Sequence, residues 1–336
     1  MNLPSEFVRN IEGVFGKAGS QFLANLPALI EEASQKWGLT EVRPSSDLSY
    51  NFVAFARRGD EEVVLKMGVP NREFRSEIAA LRLFNGEGAC KLIDHDAKKY
   101  WMLLERLQPG VMLSTLKNDQ EATQIAADVM QKIWRPIEHV TLREAKSLDQ
   151  TAKGPSGRDE FSHTPSRRPF GRVIYNSFIQ LSDWFDGLKK LRPHFKGGTG
   201  PFNEKLVERV ERSVKDFLIE NDKPVLMHGD FHHFNILSSE RGWLVIDPKG
   251  VIGPGCYEVG PLLINPWGDL LSGSDYRQMT KRRIDILHEH LGFERERIRE
   301  WGLAHAVLSA WWSIEDHTDW EYPLAFAEML AHLDVK

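Results

Sequence analysis

The sequence predicts an α+β chain of two lobes, a small antiparallel-sheet lobe carrying one key helix and a larger, mainly helical lobe. Three patterns predict it. Residues 52 to 66 alternate as two strands around a tight turn, residues from 120 onward carry helical spacing, and a second short strand pair interrupts the helical half between Pro224 and Ile246. At 336 residues the chain can bury a substantial core, and its length suits two packed lobes.

Taken in order, residues 5 to 37 read as helix, with Phe22, Leu26, Leu29 and Ile30 in helical spacing and a kink expected at Pro27. Phe52 to Arg57 alternates as a strand, Arg58-Gly59-Asp60 turns, and Glu62 to Lys66 returns. A lysine ending an apolar strand needs a partner for its ammonium. The next helix offers two, because Phe74, Ile78 and Leu81 share one face and leave Glu73 and Glu77 a turn apart; spacing alone does not choose between them. Asn85-Gly86 is the stop signal for that helix. Tyr100 to Glu105 is an apolar strand that closes the first lobe, giving expected lobes at 1–105 and 106–336.

Beyond that strand, Gln120 to Trp134 reads as helix. Residues 146–169 lack a sustained apolar period and read as a surface excursion. Helix resumes from Ile174 through Leu181, Trp184, Phe185 and Leu188. Near the C-terminus Trp301, Ala304, Leu308, Trp311 and Trp312 form a stripe of the kind that usually faces a core.

The chemistry concentrates in two short runs. Pro224 to Met227 is a buried strand that breaks at Gly229, so Asp230 sits on a tight loop with its carboxylate free of any ladder. Phosphoryl transfer needs a nucleophile oriented, its proton accepted and the phosphate charge neutralised. Asp230 suits the first two tasks. Asn235, five residues on, and Asp247, ending the strand Trp243 to Ile246, supply hard oxygens that magnesium accepts. His228, His232 and His233 crowd the same loop and raise a zinc reading, but no cysteine or further histidine nearby completes a tetrahedral set.

Composition sets the outer bounds. A net charge of -5 gives no basic footprint for nucleic acid. Cys90 and Cys256 are too few and too far apart in sequence to organise the fold through disulfides. No apolar run is long enough to cross a bilayer and no secretory signal opens the chain, so a cytoplasmic setting is expected. The oligomeric state leaves no pattern.

The stretch H-G-D-F-H-H-F-N, with W-L-V-I-D-P-K-G-V-I-G and Y-E-V-G-P-L-L-x-N-P-W after it, resembles the aminoglycoside phosphotransferases of the protein-kinase-like fold. The likeness is greatest to the streptomycin 6-phosphotransferase and hydroxyurea-kinase branch, and extends to Val64–Glu73 and Leu308–Asp316. It implies an antibiotic-resistance kinase that moves the γ-phosphoryl group of ATP, with Mg2+, to a hydroxyl of an aminoglycoside such as streptomycin, or of hydroxyurea. The alternatives are a kinase for an amino alcohol or ketosamine, and a catalytically silent nucleotide-binding relative.

The resemblance also implies roles for residues. Lys66 would meet nucleotide phosphates, and the register S-E-I-x-A-L-R-L favours Glu77 as its carboxylate partner. No G-x-G-x-x-G precedes the first strand pair; Ser49, Tyr50 and Asn51 occupy that place, either as phosphate contacts through backbone N–H groups or as an ordinary polar turn. Glu105 and Leu107 would present backbone groups to the adenine edge at the lobe hinge. Asp183, Glu315 and Asp316 are the foremost candidates to hold a cationic acceptor through charge-assisted hydrogen bonds, with Asp186, Asp269, Asp319 and Glu321 behind them. Trp311, Trp312 and Trp320 could add cation–π attraction, and Glu258 is expected to brace the catalytic loop.

Overall fold

The computed structural model describes residues 3–137, 177–219, 223–266 and 274–335. The 146–169 excursion and Asp269 lie outside the described residues. The chain is bilobal, with the antiparallel sheet N-terminal and the helices mainly C-terminal.

Helix α1 (Ser5–Trp37) breaks at Gly16, whose φ of 52° and ψ of -130° suit only glycine, and not at the expected Pro27. The break folds the first turns back on the rest, close enough that a Cβ on Gly19 would meet the carbonyl of Ile11. Phe7, Ile11, Phe22 and Leu26 then share one core with the outer face of a five-stranded sheet. That sheet contains β1 (Leu39–Pro44), β2 (Phe52–Arg58), β3 (Glu61–Met67), β4 (Leu92–Asp96) and β5 (Trp101–Glu105), in the order β1-β2-β3-β5-β4.

Strand periodicity places the first functional group. Val63, Leu65 and Met67 of β3 and Trp101 and Leu103 of β5 face α1. The alternate residues Val64, Met102 and Leu104 join the other core, so Lys66 points to that inner face. Helix α2 (Arg72–Phe84) lies there. Asn71 caps it by accepting the Phe74 N–H at 2.7 Å, and Asn85 stops it in the left-handed conformation.

The second lobe begins with β6 (Pro109–Met112), α3 (Asp119–Ile133) and β7 (Arg135–Pro136). It continues through β8 (Ile179–Gln180), α4 (Leu181–Asp186), α5 (Leu191–His194), α6 (Glu204–Ile219) and β9 (Val225–Met227). The hairpin β10 (Ile236–Ser239) and β11 (Gly242–Val245) follows, then β12 (Val251–Gly253), α7 (Val259–Ile264), α8 (Ser274–Leu291), α9 (Arg295–Glu315) and α10 (Glu321–Ala331). Two small sheets, β11-β10-β6 and β7-β9-β12-β8, frame the loops that carry Asp230 and Asp247. Trp301, Ala304, Leu308 and Trp311 of α9 are core, as the stripe predicts, while Trp312 is only half-buried.

Candidate active site

The loop after β9 is held from behind. Gly229 has φ 90°, and a Cβ there would lie 2.4 Å from Val251 and 3.0 Å from Trp184, so the turn admits no side chain. Glu258, fully buried, accepts the backbone N–H of His228 on Oε2 and of Gly229 on Oε1, both at 2.8 Å. Burial pushes the Glu258 carboxyl up, against the pull of those two donors. The Asp230 N–H donates to His228 Nδ1 at 3.2 Å, which fixes that nitrogen as the acceptor. His228 Nε2–H therefore donates to the Ile246 carbonyl at 2.7 Å. Burial holds His228 neutral, down to about 4.

Asp230 itself reaches the cleft, with 41% of its side chain exposed. Burial opposes its ionisation, but His232, Lys249 and His228 outweigh that and hold the carboxyl well below the usual range. His232 Nε2 lies 3.5 Å from Asp230 Oδ1. Asn235 Nδ2 donates to the Asp230 carbonyl at 3.0 Å, which fixes the amide orientation and leaves Oδ1 to face elsewhere. The hairpin closes the set, since the Ile246 N–H donates to the Asn235 carbonyl at 3.0 Å and brings Asp247 beside it. Asp247 holds φ 57°, an uncommon backbone state for a residue with a side chain.

The opposite wall comes from the first lobe. Lys66 Nζ donates to Glu77 Oε1 at 2.6 Å and Oε2 at 2.8 Å, and lies 3.2 Å from Asp247 Oδ1. Burial disfavours the ammonium, yet Asp247 and Glu77 together raise its pKa. Glu73, the other helix carboxylate, pairs instead with Lys249 Nζ at 3.3 Å. Ser76 Oγ donates to the Gly250 carbonyl at 2.7 Å, so α2 is seated on the Asp247 loop. Gly250, at φ 67°, leaves no room for a Cβ there.

The structure thus brings Lys66, Glu77, Asp230, Asn235 and Asp247 to one cleft. Other candidates are placed differently. The Glu105 carboxylate is forked by Arg241 and its N–H donates to Lys91 at 2.9 Å, so both are already paired; Leu107 is buried. Tyr50 is 42% exposed. Burial raises its hydroxyl pKa, helped by Asp316 and opposed by Lys249. Ser49 is exposed, and Asn51 is packed against Gly68. Asp183 pairs with Arg72 at 2.9 Å across the lobes, Glu315 pairs with Lys190 at 3.3 Å, and Asp316 is exposed.

Two features go beyond the sequence reading. Trp184 and Trp312 meet edge to face at 5.4 Å, next to Gly229, and the Glu73–Lys249 pair spans the lobes. The signals were there, as an aromatic residue ahead of the catalytic run and a lysine two places after Asp247, but neither shows its partner in sequence. Both ring nitrogens of His228 are engaged, one by the Asp230 N–H and the other by the Ile246 carbonyl.

A two-lobed fold with a carboxylate, an amide oxygen, a second carboxylate and an ion-paired lysine around one cleft defines a kinase-like phosphotransferase. A profile of the aminoglycoside/hydroxyurea antibiotic resistance kinases matches residues 37–153 and 174–317, and the chain belongs to that family. It is 27% identical to a streptomycin 6-kinase of Streptomyces glaucescens, over 94% of this chain and 92% of that one. A hydroxyurea phosphotransferase of Kitasatospora aureofaciens is also 27% identical, over 94% of this chain and 81% of its own. Among solved structures, a choline kinase of Streptococcus pneumoniae shares the fold with a TM-score of 0.55 at 14% identity, covering 92% of this chain and 98% of that one. Among the described residues no helix is long and apolar enough to cross a membrane.

Proposed function

We propose that the protein transfers the γ-phosphoryl group of ATP to a hydroxyl of a cationic aminoglycoside of the streptomycin type. The observation that carries this reading is the 3.2 Å approach of Lys66 to Asp247, which sets a first-lobe cation beside the catalytic hairpin of the second. In this reading residues 1–105 bind the nucleotide and 106–336 bind the acceptor, in a cytoplasm that supplies ATP.

Asp230 accepts the proton of the acceptor hydroxyl and orients its oxygen toward the γ-phosphorus. Lys66, held by Glu77, contacts the nucleotide phosphates. Asn235 Oδ1 and the Asp247 carboxylate, which is 45% exposed, are hard oxygen donors suited to Mg2+, an ion that takes few protein ligands and completes its shell with phosphates and water. When bound, the ion neutralises charge on the phosphates. A cationic acceptor fits the half-buried Trp184 and Trp312 together with the exposed Asp316, since aromatic faces and a carboxylate both attract organic cations.

The test is an Mg2+–ATP assay across aminoglycosides and hydroxyurea, with the added phosphate detected by mass. Phosphorylated streptomycin is the expected product. ATP consumption that yields phosphorylated hydroxyurea alone, or no phosphorylated acceptor in the panel, overturns the proposed acceptor class.

A further inference from the structure

Lys249 is tied to the catalytic loop through its backbone and to α2 through its ammonium. Its backbone N–H donates to the His228 carbonyl at 2.8 Å, so its Cα moves with the Asp230 loop. Its ammonium reaches Glu73 Oε2 at 3.3 Å, in the first turn of α2. The pair lies on the cleft wall and not in the core, with side chains 35% and 56% exposed. An ion pair that exposed contributes about 0–1 kcal/mol, too little to make stability the main consequence of a lysine here.

The surroundings point to a different use. Its backbone is bonded to His228, two residues before Asp230, and stands two residues after Asp247, while its ammonium meets Glu73 one turn before Glu77, the partner of Lys66. Those four carboxylates comprise the base, a magnesium candidate and both acids of α2. The ammonium therefore stands between the groups that would handle the acceptor and those that would handle the nucleotide. A lysine is a compact charge on a long flexible stem, able to leave one anion for another a few ångströms away.

Resting on the phosphotransfer reading above, we infer that Lys249 is a second cation that contacts the transferring phosphoryl group, opposite Lys66. In that step the acceptor oxygen bonds to the γ-phosphorus while the bond from that phosphorus to the β,γ-bridging oxygen breaks. ADP leaves with the electron pair, and the hydroxyl proton passes to Asp230. Charge spreads over the three equatorial oxygens in the transition state, and Lys249 serves one of them.

The test compares Lys249→Met, Lys249→Arg, Glu73→Gln and Asp230→Asn in the full chain, with Mg2+–ATP and streptomycin. Lys249→Met is expected to lower kcat about 100- to 1000-fold with little change in the KM for ATP, the loss typical of removing one transition-state donor. Lys249→Arg restores part of it, because the charge returns. Glu73→Gln breaks the interlobe tether yet keeps the ammonium, and holds kcat within about threefold of the parent. The inference is overturned if Lys249→Met keeps normal kcat, or if Glu73→Gln loses as much as Lys249→Met, which would make Lys249 a tether only. Asp230→Asn separates the two levels: a dead Asp230→Asn beside an active Lys249→Met sinks this inference alone, whereas an active Asp230→Asn sinks the underlying reading.

Discussion

The Glu258 carboxylate grips the backbone of Gly229: the Gly229 N–H donates to Oε1 at 2.8 Å, and the adjacent His228 N–H takes Oε2 at the same distance. The two residues stand on different elements and meet in the core, so the turn that presents Asp230 is fixed by a side chain 29 residues along the chain. An amide in place of the carboxylate offers one acceptor oxygen where two are needed. Glu258→Gln is therefore expected to cost about 1–3 kcal/mol of stability through an unpaired buried N–H, and to lower kcat more than it alters the KM for ATP. Urea unfolding and steady-state kinetics check this; unchanged values of both would remove Glu258 as the brace.

Glu77 and Asp247 share one ammonium, that of Lys66. Glu77→Gln removes the more buried of the two partners and leaves a cation in a site built for an ion pair. Asp247 still pairs that cation at 3.2 Å, so the cost falls below the roughly 3–5 kcal/mol of a buried charge left with no partner. The expected outcome is a lower thermal midpoint together with a raised KM for ATP, because Lys66 is then drawn to Asp247. A KM for ATP equal to that of the parent would separate the pair from nucleotide binding.

The buried histidines make stability depend on pH. His305, whose Nδ1 faces the Tyr257 hydroxyl at 2.9 Å, is lowered by burial from 6.5 to about 4. Its folded value is depressed, so the unfolded chain takes up a proton that the folded chain refuses. The stability it contributes is present above pH 6.5 and is lost as pH falls toward 4. Glu258, raised by burial, works in the opposite sense, so the readout is the difference between parent and variant. His305→Gln is expected to flatten the pH dependence of unfolding by about 1.4 kcal/mol per pH unit within that window. Parallel curves for parent and variant would show that His305 does not titrate on unfolding.

How legible the molecule was depended on whether a feature was local. Strand alternation around Arg58-Gly59-Asp60, the Asn85 stop and the break at Gly229 are short-range patterns, and each appears where the sequence places it. Pro27 misled for the same local reason: a helix can carry a proline with one bond missing, whereas the backbone angles of Gly16 exclude other residues, and no pattern in the sequence announces them. The choice between Glu73 and Glu77 was closed to spacing, because both sit on one face of α2 and only the pleat of β3 decides which meets Lys66. Asp183 meets Arg72 from 111 residues away, a partner that the sequence does not show. The Glu105 carboxylate lies under Arg241, a partner 136 residues distant that the sequence does not show either. Long-range pairs of charge are where sequence reasoning stopped.

The central claim is that Asp230 takes the proton of the acceptor hydroxyl. Its most direct test is the turnover of Asp230→Asn with saturating Mg2+–ATP and streptomycin, on protein shown by circular dichroism to be folded. Loss of a general base predicts a fall in kcat of about 100- to 10,000-fold with nucleotide binding retained. Turnover within a few-fold of the parent would contradict the account.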